Sequence, residues 1–296
     1  MNADGAGGEL GAARVAPPDP ALHVVTRGKG DPPLVLVHGF GAHGHFWRHW
    51  RPWLESRHRT HTLDLLGAGL SPAPPAADYS PAAQASRVAA LVRDLGGPAP
   101  VMIGHSLGAG VALLATLLLR DAGSSAAPRA LVLVSGAVYP QRLPPYISLA
   151  RIPGLRWLFL VAPPPRPLLR LGIRGIVRKK ESVNAEQVEG YREPLRSLAR
   201  RRALVRGAGQ LDLEAGAALA RRVPEVDLPT LLIWGAEDPV VPVAHAERLA
   251  RELPDAELVL LPGIGHLPPE EDPERSVEPV LAFLSSLRSP RGDAPR

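Results

Sequence analysis

The sequence predicts an α/β protein built on a doubly wound, mostly parallel sheet with helices on both faces. Short, continuous runs of Val, Ile and Leu recur along the chain, as is typical of strands buried on both sides of a parallel sheet. Stretches with the spacing of amphipathic helices separate these runs, and the alternation βαβαβ favours one sheet with crossover connections. The chain has 296 residues, of which 45% are hydrophobic, so it can bury a large core.

Six strands and several helices are expected in order. The strands are expected at residues 34–37, 60–65, 101–103, 131–134, 230–234 and 258–261. Apolar residues at helical spacing predict helices around residues 88–95 and 249–253, and a last helix over residues 277–287. Roughly ninety residues separate the fourth strand from the fifth, far more than an ordinary connection needs, so a segment is inserted there.

The insertion divides the chain into unequal parts. The predicted core comprises residues 21–138 and 211–288, the insertion comprises residues 139–210, and flexible tails are expected at residues 1–20 and 289–296. The insertion holds 15 Lys and Arg residues and four Glu residues, a net charge of +11, whereas the whole chain has +5. Residues 1–20 lack the basic and apolar segments of a signal peptide, and no apolar stretch suits a membrane span, so a cytoplasmic protein is expected.

Composition argues against several kinds of site. The chain has no cysteine, which excludes disulfides, thiolate metal sites and a cysteine nucleophile. Four histidines lie close together in the sequence, but no carboxylate joins them in a zinc-protease pattern. They are His38, His43, His45 and His49. The positive charge comes mostly from arginine, which a GC-rich coding sequence explains as well as an anionic partner does. We therefore expect no metal, no other cofactor and no nucleic-acid partner.

The sharpest local pattern is Gly104-His105-Ser106-Leu107-Gly108, which follows a predicted strand and opens an apolar stretch. It is the G-x-S-x-G pattern of a nucleophile elbow, in which a serine on a tight turn projects from the end of a strand. The flanking glycines give the turn room. A phosphate-binding loop also joins a strand to a helix, but no Gly-Lys-Ser/Thr follows here. Ser106 is therefore the candidate nucleophile.

A serine nucleophile needs a base, and the base needs a carboxylate to orient it. His266 follows the last predicted strand, and both Glu237 and Asp238 follow the strand before it. The carboxyl ends of parallel strands share one edge of the sheet, where ligands bind, so these side chains are expected to meet Ser106. Position alone leaves both acidic residues open.

These residues together resemble the α/β-hydrolase fold superfamily, over about residues 22–287. The resemblance includes the elbow, the chain order of serine, acid and histidine, and four further segments. The segments are His38-Gly39-Phe40-Gly41, Asp64-Leu65-Leu66-Gly67-Ala68-Gly69-Leu70-Ser71, Gly235-Ala236-Glu237-Asp238-Pro239-Val240-Val241-Pro242 and Gly263-Ile264-Gly265-His266. The Asp-Pro-Val-Val-Pro run is similar to the family pattern in which the aspartate, here Asp238, is the acid. The resemblance implies an α/β-hydrolase fold whose insertion forms a helical cap over the site.

The resemblance further implies a serine hydrolase that is esterase-like or lipase-like. Ser106 would attack the substrate, His266 would move the proton, and Asp238 would orient the imidazole. The backbone N–H groups of Phe40 and Leu107 would form the oxyanion hole. The expected reaction is hydrolysis of a largely apolar carboxylic ester without a cofactor. A carbon–carbon bond hydrolase, an acyltransferase, a perhydrolase and a ligand-binding protein that keeps the fold stay open as alternatives.

Arginine recurs every four residues in the predicted cap, at Arg166, Arg170, Arg174 and Arg178. On a helix this spacing gives a basic stripe opposite an apolar face, although Gly172 and Gly175 weaken a helix there. The stripe is interpreted either as a solvated face whose apolar side packs on the core, or as a surface for anionic membrane lipids or an acidic carrier. Five apolar residues are expected to roof the pocket: Leu155, Trp157, Leu158, Phe159 and Leu160.

Overall fold

Seven strands form one sheet in the computed structural model, which describes residues 21–152, 154 and 156–287. The strands are β1 (Val24–Arg27), β2 (Leu34–Val37), β3 (Thr60–Leu63), β4 (Val101–His105), β5 (Ala130–Val134), β6 (Thr230–Gly235) and β7 (Ala256–Leu261). They lie in the order β1-β3-β2-β4-β5-β6-β7, and every neighbouring pair is parallel except β1 and β3. The predicted doubly wound, mostly parallel sheet is therefore confirmed. The tails predicted at 1–20 and 289–296 lie outside the described residues.

Twelve α-helices lie in the described part of the chain. They are α1 (Arg51–Glu55), α2 (Pro81–Leu95), α3 (Leu107–Asp121), α4 (Pro145–Arg151), α5 (Leu158–Val161), α6 (Arg166–Ile176), α7 (Ala185–Arg192), α8 (Leu198–Gly209), α9 (Leu213–Arg222), α10 (Val243–Glu252), α11 (Pro268–Glu271) and α12 (Pro273–Ser286). Helices α4 to α8 fall within the insertion at residues 139–210, which we call the cap, and α9 leads back to β6. No helix of the described residues is long and apolar enough to cross a membrane.

Alternation along the strands separates the core into two layers. Val35 and Val37 of β2 pack in a cluster with α2 and α3, whereas Leu34 and Leu36 pack in a second cluster with α12. Successive side chains of a strand point to opposite faces, so a strand covered on both faces needs apolar residues at every position. The continuous apolar runs in the sequence follow from this requirement. Strand β1 is half exposed and antiparallel, and its short, mixed sequence gave no such run.

The ends of the helices follow local rules. Helix α2 begins at Pro81 after Ser80, whose hydroxyl oxygen accepts a hydrogen bond from the N–H of Ala83. It ends at Leu95, and the following residue, Gly96, has a φ of 61°. Helix α12 begins in the same way after Asp272. These residues at the helix ends, Ser or Asp followed by Pro at the start and Gly after the last residue, explain where the two helices begin and where α2 ends.

The cap consists of short helices that pack in two groups. Helices α4 and α5 pack on α8, and α6 packs on α7. Helix α6 runs through Gly172 and Gly175 despite their low helix propensity, and it ends at Ile176. Arg178 therefore lies beyond the helix, and the predicted stripe of four arginines is reduced to three on α6. Tertiary contacts on one side of α6 outweigh the cost of the two glycines.

Candidate active site

Ser106 lies between β4 and α3 with φ 52° and ψ −121°. A positive φ is energetically costly for a residue with a side chain. Here it directs the hydroxyl group of Ser106 out from the carboxyl end of β4. The turn depends on two close approaches. A Cβ atom on Gly104 would lie 2.5 Å from the carbonyl oxygen of Gly108, and one on Gly108 would lie 2.4 Å from that of His38. Both positions therefore need glycine.

Three side chains from three strand ends form one hydrogen-bonded chain. Nε2 of His266 lies 3.0 Å from Oγ of Ser106, and Nδ1 of His266 lies 2.9 Å from Oδ2 of Asp238. Oδ1 of Asp238 accepts hydrogen bonds from the N–H groups of Val240 and Val241, which hold the carboxylate in place. The side chain of Asp238 is fully buried and that of His266 is 5% exposed. The carboxylate of Asp238 accepts a hydrogen bond from the N–H group at Nδ1, which leaves Nε2 to accept one from the serine hydroxyl.

Glu237, the other acidic residue that the sequence left open, has a different partner. Its Oε2 accepts a hydrogen bond of 2.7 Å from the N–H of Gly263, at the start of the loop that carries His266. Glu237 is exposed and therefore supports the loop from outside. Asp238 is the carboxylate that contacts the histidine.

The loop after β2 passes directly over the elbow. A Cβ atom on Gly39 would lie 3.1 Å from that of Ser106, so the chain at Gly39 and Phe40 runs close to the hydroxyl. Leu107 is the first residue of α3, and the N–H groups of a first helical turn have no carbonyl partner within the helix. The two predicted oxyanion donors, Phe40 and Leu107, thus belong to backbone segments on either side of Ser106.

The side chain of His38 holds the loop after β2 in place through two hydrogen bonds. Nε2 of His38 accepts a hydrogen bond from the N–H of Leu65, so the proton is on Nδ1, which donates to the carbonyl oxygen of Gly39. Burial lowers the pKa of His38 to about 4. The histidine therefore stays neutral at physiological pH and keeps one acceptor and one donor for these two bonds.

His105 connects the elbow to the loop that carries the catalytic candidate His266. Its Nε2 donates a hydrogen bond of 2.9 Å to the carbonyl oxygen of His266, and its ring stacks on Phe46 at 4.3 Å between centroids. Burial lowers the pKa of His105 well below its ordinary value, so the ring is neutral. The residue between Gly104 and Ser106 in the elbow therefore fixes the backbone of the candidate base. Sequence analysis assigned no role to it.

Glu271 joins the cap to the same loop. Its buried carboxylate accepts hydrogen bonds from the N–H groups of Gly265 and Leu267, on either side of His266, at 3.0–3.1 Å. It also accepts from the N–H groups of Arg178 and Lys179 in the cap, at 2.7 and 3.0 Å. One carboxylate thus holds two backbone segments together.

The neighbouring residues strengthen this junction. Glu270 is buried and accepts hydrogen bonds from Arg48 in the core and from Gln187 and Tyr191 in the cap. The N–H of His266 itself donates to the carbonyl oxygen of Ile176 at the end of α6. The position of the candidate base is therefore set in part by the cap. No pattern in the sequence around Glu270 and Glu271 predicts these contacts.

A cavity of about 1470 Å³ lies between the core and the cap. Ser106 and His266 line it from the core side, together with Phe40 and Leu107, and most of the other lining side chains are apolar. Phe159 lines it from the cap. Of the other residues predicted to roof it, Trp157 and Leu158 are instead 55% and 54% exposed. Short cap helices turn these side chains outward. Leu155 lies outside the described residues.

Arg201 lines the cavity from the cap, and its guanidinium group already forms hydrogen bonds. It donates hydrogen bonds to the carbonyl oxygens of Leu160, Leu195 and Arg196. Arg222, which also lines the cavity, pairs with Asp121 at 2.8 Å. These two arginines therefore serve to hold the cap and α9 in place.

The N-terminal histidines contact the cap. Nε2 of His43 forms a hydrogen bond of 2.9 Å with the carbonyl oxygen of Gly190 in α7, and the rings of His43 and His45 stack at 5.7 Å. Burial lowers the pKa of His45 to about 4. Within the described residues, no group of three or more His, Cys, Asp or Glu side chains is arranged so that it could hold a metal ion.

Comparison with known proteins places most of the core and the cap in one family. The model of the alpha/beta hydrolase family matches residues 34–278. The chain is 29% identical to the uncharacterized hydrolase YugF of Bacillus subtilis, over 85% of this chain and 89% of that protein. It is also 29% identical to a pimeloyl-(acyl-carrier protein) methyl ester esterase of Methylococcus capsulatus, over 90% and 99%. A thermophilic esterase from Thermogutta terrifontis has a similar structure, with a TM-score of 0.75 at 26% identity over 90% of this chain and 94% of that one.

Proposed function

The chain belongs to the alpha/beta hydrolase family, and from that premise we propose that it is a serine hydrolase that cleaves a largely apolar carboxylic ester through an acyl-enzyme. The observation that carries the proposal is the hydrogen-bonded chain of Ser106, His266 and Asp238 at the wall of an apolar cavity. The esterases of similar sequence and structure support the same reaction class.

In the first half of the reaction, Oγ of Ser106 attacks the ester carbonyl carbon while its proton passes to Nε2 of His266. Asp238 stabilises the imidazolium that forms, through the bond to Nδ1. The negative charge on the carbonyl oxygen is stabilised by the N–H groups of Phe40 and Leu107, each worth roughly 3 kcal/mol. His266 then donates its proton to the leaving alcohol, which departs and leaves the acyl group on Ser106.

In the second half, a water molecule replaces the alcohol. His266 removes a proton from the water, the resulting hydroxide attacks the acyl carbon, and the proton returns to Oγ of Ser106 as the acid departs. The ester, water and the side chains of Ser106 and His266 supply every proton that moves in this cycle. The scheme therefore needs no cofactor.

The lining of the cavity favours an apolar substrate over an anionic one. The side chains around Ser106 that the cap contributes are mainly aliphatic or aromatic, and Arg201 is engaged with backbone carbonyl groups. An acidic substrate, of the kind that a carbon–carbon bond hydrolase of aromatic degradation takes, would have to compete for the cations among the described lining residues. Arg201 is bonded to backbone carbonyl groups, Arg222 to Asp121 and Arg93 to Asp94. A neutral ester with an apolar acyl or alkoxy group gains free energy from burial of its surface.

The test is labelling with a fluorophosphonate probe, which reacts with an activated serine. We expect stoichiometric labelling on the peptide that contains Ser106, and no labelling of Ser106→Ala. The matched control is Ser86→Ala, which removes another serine that lines the cavity and should leave labelling unchanged. A folded wild-type chain that resists the probe and binds apolar esters without hydrolysis would be a ligand-binding protein, and the proposal would be wrong.

A further inference from the structure

Large apolar side chains are concentrated on the outside of the cap. Ten large hydrophobic residues are exposed in the described part of the chain, and eight of them lie in the cap. Seven of the eight, each 44–68% exposed, we call the outer cap face: Leu149, Ile152, Trp157, Leu158, Val161, Leu168 and Leu171. A cluster of this kind is rare on a protein surface that contacts only water, and it indicates an interaction site.

The segment that carries the outer cap face has charges of one sign, although Arg166 at the start of α6 pairs with Glu189 of α7. Residues 139–180 contain nine Lys and Arg residues and no Asp or Glu. Arg151, Arg156 and Arg174 are exposed among the apolar residues. A surface that combines exposed aromatic and aliphatic side chains with an excess of arginines is typical of contact with an anionic lipid interface.

The outer cap face also adjoins the cavity. Leu149, Leu168 and Leu171 are exposed at the surface and line the cavity that contains Ser106. On the other side of α6, Ile173 is buried against the core. Helix α6 therefore packs on the protein with one side and leaves the other, apolar side at the opening of the cavity.

We propose that the outer cap face docks on the surface of an anionic lipid bilayer, and that the substrate enters the cavity from the bilayer. Entry of the substrate from the bilayer rests on the proposed function, and it narrows that function to esters that partition into lipid. The apolar side chains would enter the interface while the arginines contact phosphate groups. A second copy of the chain fits less well, because it would bring the same run of nine cations against the first.

The test measures binding to vesicles by flotation. We expect the wild-type protein to float with vesicles of phosphatidylglycerol and phosphatidylcholine, and to stay largely unbound with phosphatidylcholine alone. Binding should weaken as salt is raised, since the attraction between arginines and lipid phosphates is screened.

Two double variants separate apolar from ionic contact. Trp157→Ser with Val161→Ser removes exposed apolar surface, and Arg156→Gln with Arg174→Gln removes charge; none of these residues lines the cavity. We expect each to weaken vesicle binding by on the order of tenfold or more, because one basic residue near an anionic surface contributes about a fivefold change in affinity. Hydrolysis of a soluble p-nitrophenyl ester should be unchanged in both.

Matched controls come from the core. Leu70 is 68% exposed, so Leu70→Ser removes a similar apolar surface outside the cap. Arg221→Gln with Arg251→Gln removes two exposed charges outside the cap. Both controls should bind vesicles as the wild type does.

Several outcomes would overturn the proposal. The wild-type protein could fail to float with anionic vesicles while it hydrolyses soluble esters, which would reject docking and leave the proposed function intact. The controls could lose as much binding as the cap variants, or the wild-type protein could be a dimer that Trp157→Ser with Val161→Ser converts to a monomer. Binding of soluble polyglutamate without binding of vesicles would assign the face to an acidic protein. Vesicle binding by a chain that no fluorophosphonate labels would instead reject the proposed function alone.

Discussion

Glycines at the elbow and glycines in the cap have opposite structural roles. A Cβ atom on Gly108 would lie 2.4 Å from the carbonyl oxygen of His38, and one on Gly104 would also meet backbone atoms. At Gly172 and Gly175 in α6, an added Cβ would meet no atom within 4 Å outside its own helix backbone. The elbow around Ser106 is closely packed, whereas α6 leaves open space at its two glycines.

The difference extends to charge and to titratable groups. All ten histidines of the chain lie outside the cap, and nearly half of the Lys and Arg residues lie within it. Apolar side chains such as Ile173 and several polar contacts attach the cap to the core, and the contacts of Glu270 and Glu271 lie beside the loop of His266. Under the proposed function, the core supplies the reacting groups, and the cap supplies a surface and a cavity wall. The predictions below test this division of roles.

The largest effect is expected from the reacting groups of the core. Ser106→Ala and His266→Ala should each lower kcat/KM for a short p-nitrophenyl ester by on the order of 10³-fold or more, with folding intact. Asp238→Asn should be comparably harmful, since the imidazole loses its orienting carboxylate. Steady-state kinetics on the purified variants measures these losses.

Glu237→Gln is the matched control for the acid. Glu237 is adjacent to Asp238 but bonds Gly263, so its amide variant should retain most of the activity. If Glu237→Gln is the damaging change and Asp238→Asn is not, the acid has been assigned to the wrong residue.

The geometry of the core could be predicted from the sequence because each candidate follows the end of a buried strand. Ser106, Asp238 and His266 come one, three and five residues after the ends of β4, β6 and β7, and parallel strands bring their carboxyl ends to one edge. The local sequence around each of the three residues therefore predicts that they meet in the fold, although they are far apart in the chain. The choice between Glu237 and Asp238 needed the resemblance to a family, since spacing alone did not decide it.

The junction of core and cap could not be predicted in this way. Glu271 accepts hydrogen bonds from backbone N–H groups more than ninety residues earlier, and backbone groups carry no residue-specific pattern. The exposure of Trp157 and Leu158 was missed for a related reason. Apolar residues predict burial by default, and only the packing of short cap helices shows which of them face outward.

Acid should destabilise the core. Protonation of His38 alone should lower the free energy of unfolding by about 3 kcal/mol. Burial lowers its pKa from 6.5 to about 4, so the unfolded chain binds a proton that the folded chain excludes. The stability is fully present above pH 6.5 and is lost as the pH falls toward 4. Lowered pKa values at His105 and His45 act in the same direction.

Urea unfolding at a series of pH values between 7 and 4.5 measures this effect. The free energy of unfolding should fall with the pH, and His38→Gln should reduce the slope of the fall. A free energy of unfolding that stays constant or rises over this range would contradict neutral, buried histidines in the core.

A smaller effect is expected at the junction. Glu271→Gln replaces a carboxylate that accepts from four backbone N–H groups with an amide that has one acceptor oxygen, so the loop of His266 loses part of its support. We expect kcat for a soluble ester to fall by about tenfold, with a smaller change in KM. The matched control is Glu274→Gln, an exposed acid three residues later in the chain.

Glu271 acts on His266 through the backbone, so it is a positioning residue. The split between kcat and KM distinguishes this role from a purely structural one, which would lower the melting temperature and leave kcat unchanged in the folded protein. Glu271→Asp keeps the charge and should recover part of the lost kcat. Equal kinetics in wild type, Glu271→Gln and Glu274→Gln would mean that the cap does not influence the base.

The smallest effect, of opposite sign, is expected in α6. Gly172→Ala and Gly175→Ala should each stabilise the cap by about 0.5–1 kcal/mol, because alanine has the higher helix propensity and the added methyl group meets no neighbouring atom. Calorimetry should detect a rise of about 2 °C in the melting temperature if the cap unfolds together with the core. Gly108→Ala, the same chemical change at the elbow, should lower it sharply. If both variants in α6 also lower the melting temperature, the space around these two glycines is filled in solution. The contrast between a closely packed elbow and open space at α6 then does not hold.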